Sequence, residues 1–174
     1  IDWCYWDHPL IELDGKTAGI IGFGRIGQTT GRIAKALGMK VLAYDPYVKE
    51  LPEEFQSYVT LCGENEVISG CDFLSLHLPL NDETRNMISA PQLASMKAGA
   101  YVINAARGGI VNEKDLYEAL VSGHIAGAAM DVSEVEPMAE ENPLRTLDNV
   151  IITPHIGMYS KEAIGAVSLI CAQN

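Results

Sequence analysis

An α/β fold, a doubly wound parallel sheet covered by helices on both faces, is predicted for this chain by three observations. Short apolar segments recur six times, and helical stretches separate most of them. These segments are near-continuously apolar, the pattern of strands buried on both faces. The first of them runs straight into a glycine cluster that opens an amphipathic helix.

Residues 17–21, Thr17-Ala18-Gly19-Ile20-Ile21, form the first strand. Gly22-Phe23-Gly24-Arg25-Ile26-Gly27 closes it and opens a helix over 25–37. A second strand, 40–44, is followed by Asp45, eighteen residues after Gly27. A Gly-x-Gly-x-x-Gly alone is a weak signal, but between a strand and a helix, with an acid at this distance, it reads as a dinucleotide site. Gly22 permits the tight turn, Gly24 lets the backbone approach a pyrophosphate, and Gly27 lets the helix pack close to the strand. The helix start, including Arg25 and Ile26, offers unpaired N–H groups and the positive end of its dipole. Asp45 is placed to accept hydrogen bonds from an adenosine ribose. Its charge would repel a 2′-phosphate, so the expected cofactor is NAD rather than NADP. Gly31, inside the helix, should weaken it by roughly 1 kcal/mol relative to Ala.

Further strands are expected over 72–78, 100–104, 125–132 and 150–153, with helices around 64–69, 91–96 and 113–122. Asn112 is placed to cap the last of these helices, with Asp115 in the capping-box position. The stretch 137–148 carries Glu and Pro without periodicity and reads as a loop, and 160–174 begins another helix. Six strands are what two mononucleotide-binding halves require, which makes this a Rossmann-type, three-layer α/β/α arrangement.

A length of 174 residues fits one domain, 1–174, with 1–15 as an entry arm. The net charge of −11 argues against a nucleic-acid surface, which needs clustered Lys and Arg. No apolar run approaches a membrane span, and no leader precedes the first strand. Cys4, Cys62, Cys71 and Cys171 are scattered, with no Cys-x-x-Cys pair and no His placed to complete a zinc site. No metal site is expected, and the cysteines read as small hydrophobic residues in a reducing, cytoplasmic compartment.

In such sheets ligands bind beyond the carboxyl ends of the strands. The third strand ends in His77-Leu78-Pro79-Leu80 and the fourth in Asn104-Ala105-Ala106-Arg107-Gly108-Gly109. The fifth ends near Asp131, followed by Glu136, and the sixth in Thr153-Pro154-His155-Ile156-Gly157. An Arg, two acids and a His at one rim, beside an NAD site, point to redox chemistry on an anionic substrate.

With these motifs, and with Glu83-Thr84-Arg85-Asn86-Met87-Ile88 and Gly127-Ala128-Ala129-Met130-Asp131-Val132, the chain resembles the NAD-dependent D-2-hydroxyacid dehydrogenases over essentially its whole length. The opening Trp3-Cys4-Tyr5-Trp6-Asp7, followed by Pro9-Leu10-Ile11-Glu12-Leu13, is similar to the glycerate dehydrogenase (hydroxypyruvate reductase) branch, although Met158-Tyr159 departs from it. The resemblance implies that His155 is the proton donor, Glu136 the acid paired with it, and Arg107 the residue gripping the substrate carboxylate with its planar fork. It further implies that Leu78, Pro79, Thr84, Ala105, Ala106, Arg107, Asp131, His155 and Gly157 join the glycine loop in holding NAD. Ala105 and Ala106 are small enough to let it pass close, and Asp131 stands on the nicotinamide side. The substrate is then a small 2-keto or 2-hydroxy acid, with hydroxypyruvate or glycerate favoured.

His77 is read as a local hydrogen-bonding residue, and His8 and His124 as surface or turn residues. Trp3, Tyr5 and Trp6 fit either packing on the outer helices or a subunit interface, and the family implies a homodimer. The family also has a substrate domain built from segments on either side of the cofactor domain. The resemblance therefore implies that this chain is the cofactor domain alone, with half an active-site cleft and little activity by itself. The alternative is a non-catalytic, NAD-responsive protein-binding module, as in the C-terminal-binding-protein corepressors. A formate or phosphite dehydrogenase is a third reading.

Overall fold

The computed structural model describes residues 10–173, so the expectations for Trp3, Cys4, Tyr5, Trp6 and His8 fall outside the described residues. In chain order the elements are β1 (Thr17–Ile21), α1 (Arg25–Ala36), β2 (Lys40–Tyr44), α2 (Glu53–Gln56), β3 (Val59–Leu61), α3 (Glu64–Gly70) and β4 (Phe73–Leu76). There follow α4 (Ala90–Ser95), β5 (Ala100–Asn104), α5 (Glu113–Val121), β6 (Ile125–Met130), a 3-10 turn (Pro143–Thr146), β7 (Val150–Ile152) and α6 (Lys161–Gln173). All strands are parallel, in the order β3-β2-β1-β4-β5-β6-β7. The order reverses between β1 and β4, which opens a crevice at their carboxyl ends.

The expected doubly wound parallel sheet is thus present, with seven strands rather than six. Successive residues of β1 point to opposite faces and feed two cores. Ala18 and Ile20 pack with Val41, Ala43, Phe55 and Val59, while Ile21 packs with Leu74, Leu76 and Val102. Burial on both faces accounts for the near-continuous apolar strands.

Two elements were not expected. β3 is a three-residue edge strand paired with β2 through Val41, Leu42 and Ala43. Before it, α2 inserts Phe55, fully buried, edge-on against Phe23 with ring centroids 5.2 Å apart. The guanidinium of Arg32, on α1, lies 4.9 Å from the centre of the Phe55 ring and pairs with Glu54 at 2.9 Å. This small layer supports the glycine loop from below. The irregular stretch 137–148 also contains order: the 3-10 turn buries Leu144, and Asn142 caps it by accepting from the Leu144 N–H.

The capping box at α5 is only half formed. Asn112 accepts from the Asp115 N–H at 3.0 Å as expected, but the Asp115 carboxylate turns away and accepts from the Ala90 N–H at 2.8 Å, at the start of α4. A second helix end competed successfully for the acid. α1 starts at Gly24 without a side-chain cap, consistent with a terminus that presents its N–H groups outward.

Gly31 is buried in α1, yet a methyl group there would meet only Phe23 and Ile20 carbons at 3.4 to 3.6 Å. Gly31→Ala is therefore expected to stabilise the chain by about 0.5–1 kcal/mol, through helix propensity without overpacking. Thermal unfolding checks this; a lower melting temperature would show that Phe23 cannot yield the space.

Candidate active site

The glycine loop is shaped by three different constraints. Gly22 has φ +92°, and a Cβ there would sit 2.4 Å from the His77 carbonyl oxygen. At Gly27 a Cβ would sit 2.1 Å from the Gly22 carbonyl oxygen, so close packing of α1 on the turn requires glycine. Gly24 differs: nothing lies within 4 Å of its missing Cβ. The protein leaves that space open, in front of the α1 first-turn N–H groups of Arg25, Ile26 and Gly27, where a pyrophosphate can approach.

Asp45 follows β2 and braces this loop. Its Oδ2 accepts from the Phe23 N–H and its Oδ1 from the Tyr47 N–H, both at 2.9 Å. Each carboxylate oxygen keeps a further lone pair, so a ribose hydroxyl can still be accepted. Open space at Gly24, outward N–H groups and a half-buried acid at the next strand end together fit a dinucleotide without a 2′-phosphate.

Beyond β4, His77 bonds locally as expected, its Nε2 2.9 Å from the Ser75 hydroxyl, and burial lowers its pKa. Leu78 packs against the core while Pro79 is exposed. The Thr84 hydroxyl donates to the Pro79 carbonyl at 2.7 Å and accepts from the Asn81 N–H at 2.9 Å, closing the loop that carries these residues. His124 is a turn residue, its Nε2 3.1 Å from the Met96 carbonyl.

Beyond β5, Asn104 is fully buried and folds the next turn: its Oδ1 accepts from the Ala106 N–H at 3.1 Å and its Nδ2 donates to the Arg107 carbonyl at 3.0 Å. Ala105 is exposed at this turn and Ala106 is half-buried. Arg107 projects outward, with one guanidinium N–H donating to the Ala106 carbonyl at 2.7 Å.

Glu136 and His155 meet, with Glu136 Oε2 2.8 Å from His155 Nδ1. Glu136 Oε1 also accepts from the Ser133 N–H at 3.3 Å. The bond to His155 is the main influence holding the Glu136 carboxyl below its ordinary value. Burial opposes it as the second-largest influence, and the Ser133 N–H and the charges of His155 and Arg107 add to the lowering. Arg107, Glu136 and His155 are therefore within electrostatic reach of one another. A cavity of about 730 Å³ opens beside the pair, walled by Met138, Leu144, Ile152 and Pro154.

Asp131, almost fully buried, accepts from the Thr153 hydroxyl at 2.5 Å and from the N–H groups of Ile156 and Gly157 at 2.9 and 2.8 Å. Burial pushes its carboxyl up, but these donors and the nearby His155 outweigh it and leave the pKa lowered. Sequence reasoning missed Asn104, Ser133 and Thr153 as participants. Their one available signal was a polar residue at the end of an apolar strand. Among the described residues, no group of three or more His, Cys, Asp or Glu converges to hold a metal, and no helix is long and apolar enough to cross a membrane.

Comparison with known proteins agrees with this geometry. Residues 2–157 match the model of the D-isomer specific 2-hydroxyacid dehydrogenase NAD binding domain. A hydroxypyruvate reductase of Blautia hydrogenotrophica is 51% identical over 163 residues, 93% of this chain and 50% of that protein. A D-3-phosphoglycerate dehydrogenase of Methanocaldococcus jannaschii is 48% identical over 171 residues, 97% of this chain and 32% of that protein. Among solved structures, a glyoxylate reductase from Paecilomyes thermophila superposes with a TM-score of 0.87 at 35% identity, covering 94% of this chain and 49% of that one. The chain thus spans half or less of the length of these relatives. It belongs to the D-isomer-specific 2-hydroxyacid dehydrogenase family, as an NAD-binding domain of the Rossmann type.

Proposed function

We propose that this chain supplies the cofactor-binding and catalytic half of an NAD-dependent D-2-hydroxyacid dehydrogenase. The observation that carries the reading is the His155–Glu136 pair, 2.8 Å apart, at the same sheet rim as the glycine loop and Asp45. Bound NADH supplies a hydride to the carbonyl carbon of a 2-keto acid. With Nδ1 engaged by Glu136, the Nε2 of a protonated His155 is left to give its proton to the oxygen of that carbonyl, and in the reverse direction takes it back. Glu136 holds the ring in place through its bond to Nδ1. Arg107 turns its remaining guanidinium N–H groups to the substrate carboxylate. Gly22, Gly24, Arg25, Ile26, Gly27 and Asp45 hold the adenosine and pyrophosphate. Leu78, Pro79, Thr84, Ala105, Ala106, Asp131 and Gly157 line the way to the nicotinamide.

Hydroxypyruvate or glycerate is the favoured substrate, on the strength of two relatives. They are the Blautia hydroxypyruvate reductase and a glycerate dehydrogenase of Methylorubrum extorquens, 42% identical over 164 residues. Relatives named as reductases and dehydrogenases lend the corepressor alternative no support. The cytoplasm as compartment draws support from the free thiols of Cys62, Cys71 and Cys171. A homodimer draws it from the exposed Leu10 and Ile11 before β1.

NADH is expected to bind this chain at least about tenfold more tightly than NADPH, since a 2′-phosphate would face the Asp45 carboxylate. Asp45→Ser should shrink that preference in a fluorescence titration. Equal binding of both cofactors by the parent would refute the assignment. In a two-domain dehydrogenase carrying this chain, NADH oxidation across a panel of 2-keto acids should favour hydroxypyruvate. No turnover with any of them would remove the catalytic reading.

A further inference from the structure

All four polar side chains buried among the described residues, Ser75, Asn104, Asp131 and Ser133, belong to the carboxyl rim of the sheet. Asp131 is the most heavily engaged of them. Its Oδ1 accepts from the Thr153 hydroxyl and the Ile156 N–H, and its Oδ2 from the Gly157 N–H. Every one of these donors lies on the turn after β7, and they bracket His155 on both sides. His155 itself has φ +54°, a left-handed conformation that a non-glycine residue holds only when its surroundings compel it. A Cβ at 157 would sit 2.8 Å from Asp131 Oδ2, so a side chain there would have to displace the carboxylate.

We propose that Asp131 is a positioning residue for His155: its carboxylate gathers the 153–157 turn, fixes the left-handed backbone at 155, and so delivers the imidazole to Glu136. This rests on the reading of His155 as proton donor and goes beyond a cofactor contact. The two roles are compatible, because Oδ2 retains a lone pair for a donor on the nicotinamide side.

Thr153→Val tests the bracket most cleanly, since it removes one hydroxyl donor while leaving the Asp131 charge in place. The readout is the tautomer ratio of the neutral His155 ring in the 174-residue chain, from ring-nitrogen NMR shifts, with Glu136→Gln to identify the contribution of the pair. The parent should favour the Nδ1–H form that bonds Glu136. Thr153→Val and Asp131→Asn should each lower the Nδ1–H to Nε2–H ratio by about fivefold, the effect of losing one ordinary hydrogen bond, whereas Thr153→Ser should retain it. Thermal midpoints recorded alongside separate loss of the turn from loss of the fold. A parental ratio in Thr153→Val, or a parent without an Nδ1–H excess, would overturn the proposal. NADH titration of the same samples is independent. A chain that shows the tautomer shift but binds no NADH would sink the dehydrogenase reading and leave the positioning role standing.

Discussion

Replacing His155 by glutamine, in a two-domain dehydrogenase carrying this chain, is expected to lower kcat for keto-acid reduction by about 10²–10⁴-fold, the usual worth of a positioned acid. Glutamine keeps polarity and approximate length but has no proton to give at working pH. The glycine loop and Asp45 share no hydrogen bond with His155. NADH affinity should therefore fall far less than kcat, because His155 is one cofactor contact among many while its proton transfer acts in the transition state. Arg107→Lys should show the complementary pattern, a raised KM for the keto acid, because a point charge cannot reproduce a two-pronged grip. Steady-state kinetics with hydroxypyruvate separates the two. If both variants turned over at the parental rate, the roles of these residues would be wrong.

A second large effect is expected from one methyl group. At Gly108 a Cβ would stand 1.7 Å from the Ser133 carbonyl oxygen and 2.4 Å from its carbon. Both are backbone atoms and cannot rotate aside. Gly108→Ala must force apart the turn that carries Arg107 and the segment that leads to Glu136, and should cost about 2–4 kcal/mol of stability. Gly24→Ala is the instructive contrast. Nothing in the protein meets a Cβ there, so urea midpoints should hardly move while NADH binding falls, because the methyl group occupies the pyrophosphate's space. A Gly108→Ala chain as stable as its parent would mean that the two turns do not touch. Unimpaired NADH binding by Gly24→Ala would move the pyrophosphate elsewhere.

The sheet was legible in the sequence wherever a strand is buried on both faces, because only then does the apolar run stand out. β3 was not. Val59-Thr60-Leu61 is three residues long at an edge, and its partner in stability, Phe55, looks in sequence like any loop aromatic. The 3-10 turn around Leu144 was hidden for the same reason, one buried side chain in a polar stretch. Asn112 could be read as a cap because capping is local. The Asp115 carboxylate could not, since its acceptor role is claimed by Ala90, twenty-five residues away. The site divides along the same line. Gly22, Gly27 and Asp45 act through spacing along the chain, and the structure assigns each a steric or bonding reason. Glu136 and His155 are nineteen residues apart, and only the resemblance to a family suggested that they meet. Asn104 bonds within its own turn and is marked locally only as a polar residue ending an apolar strand, whereas the partners of Asp131 lie on another strand's turn and are set by strand order.

The sheet order has a consequence for how such a domain can be altered. The groups assigned to adenosine and pyrophosphate come from β1, β2 and the turns after them, while Arg107, Glu136 and His155 come from the turns after β5, β6 and β7. The Asp45 carboxylate bonds only Phe23 and Tyr47 among the described residues, and the side-chain bonds of Asp131 and Glu136 lie entirely in the other half. Changes confined to one half should then combine with changes in the other nearly additively, as for sites without shared partners. A lineage or an engineer can exchange the preferred nucleotide by rebuilding the β2 terminus and leave the proton-transfer apparatus as it was. Selection on fuel and selection on chemistry can thus proceed on separate parts of one sheet.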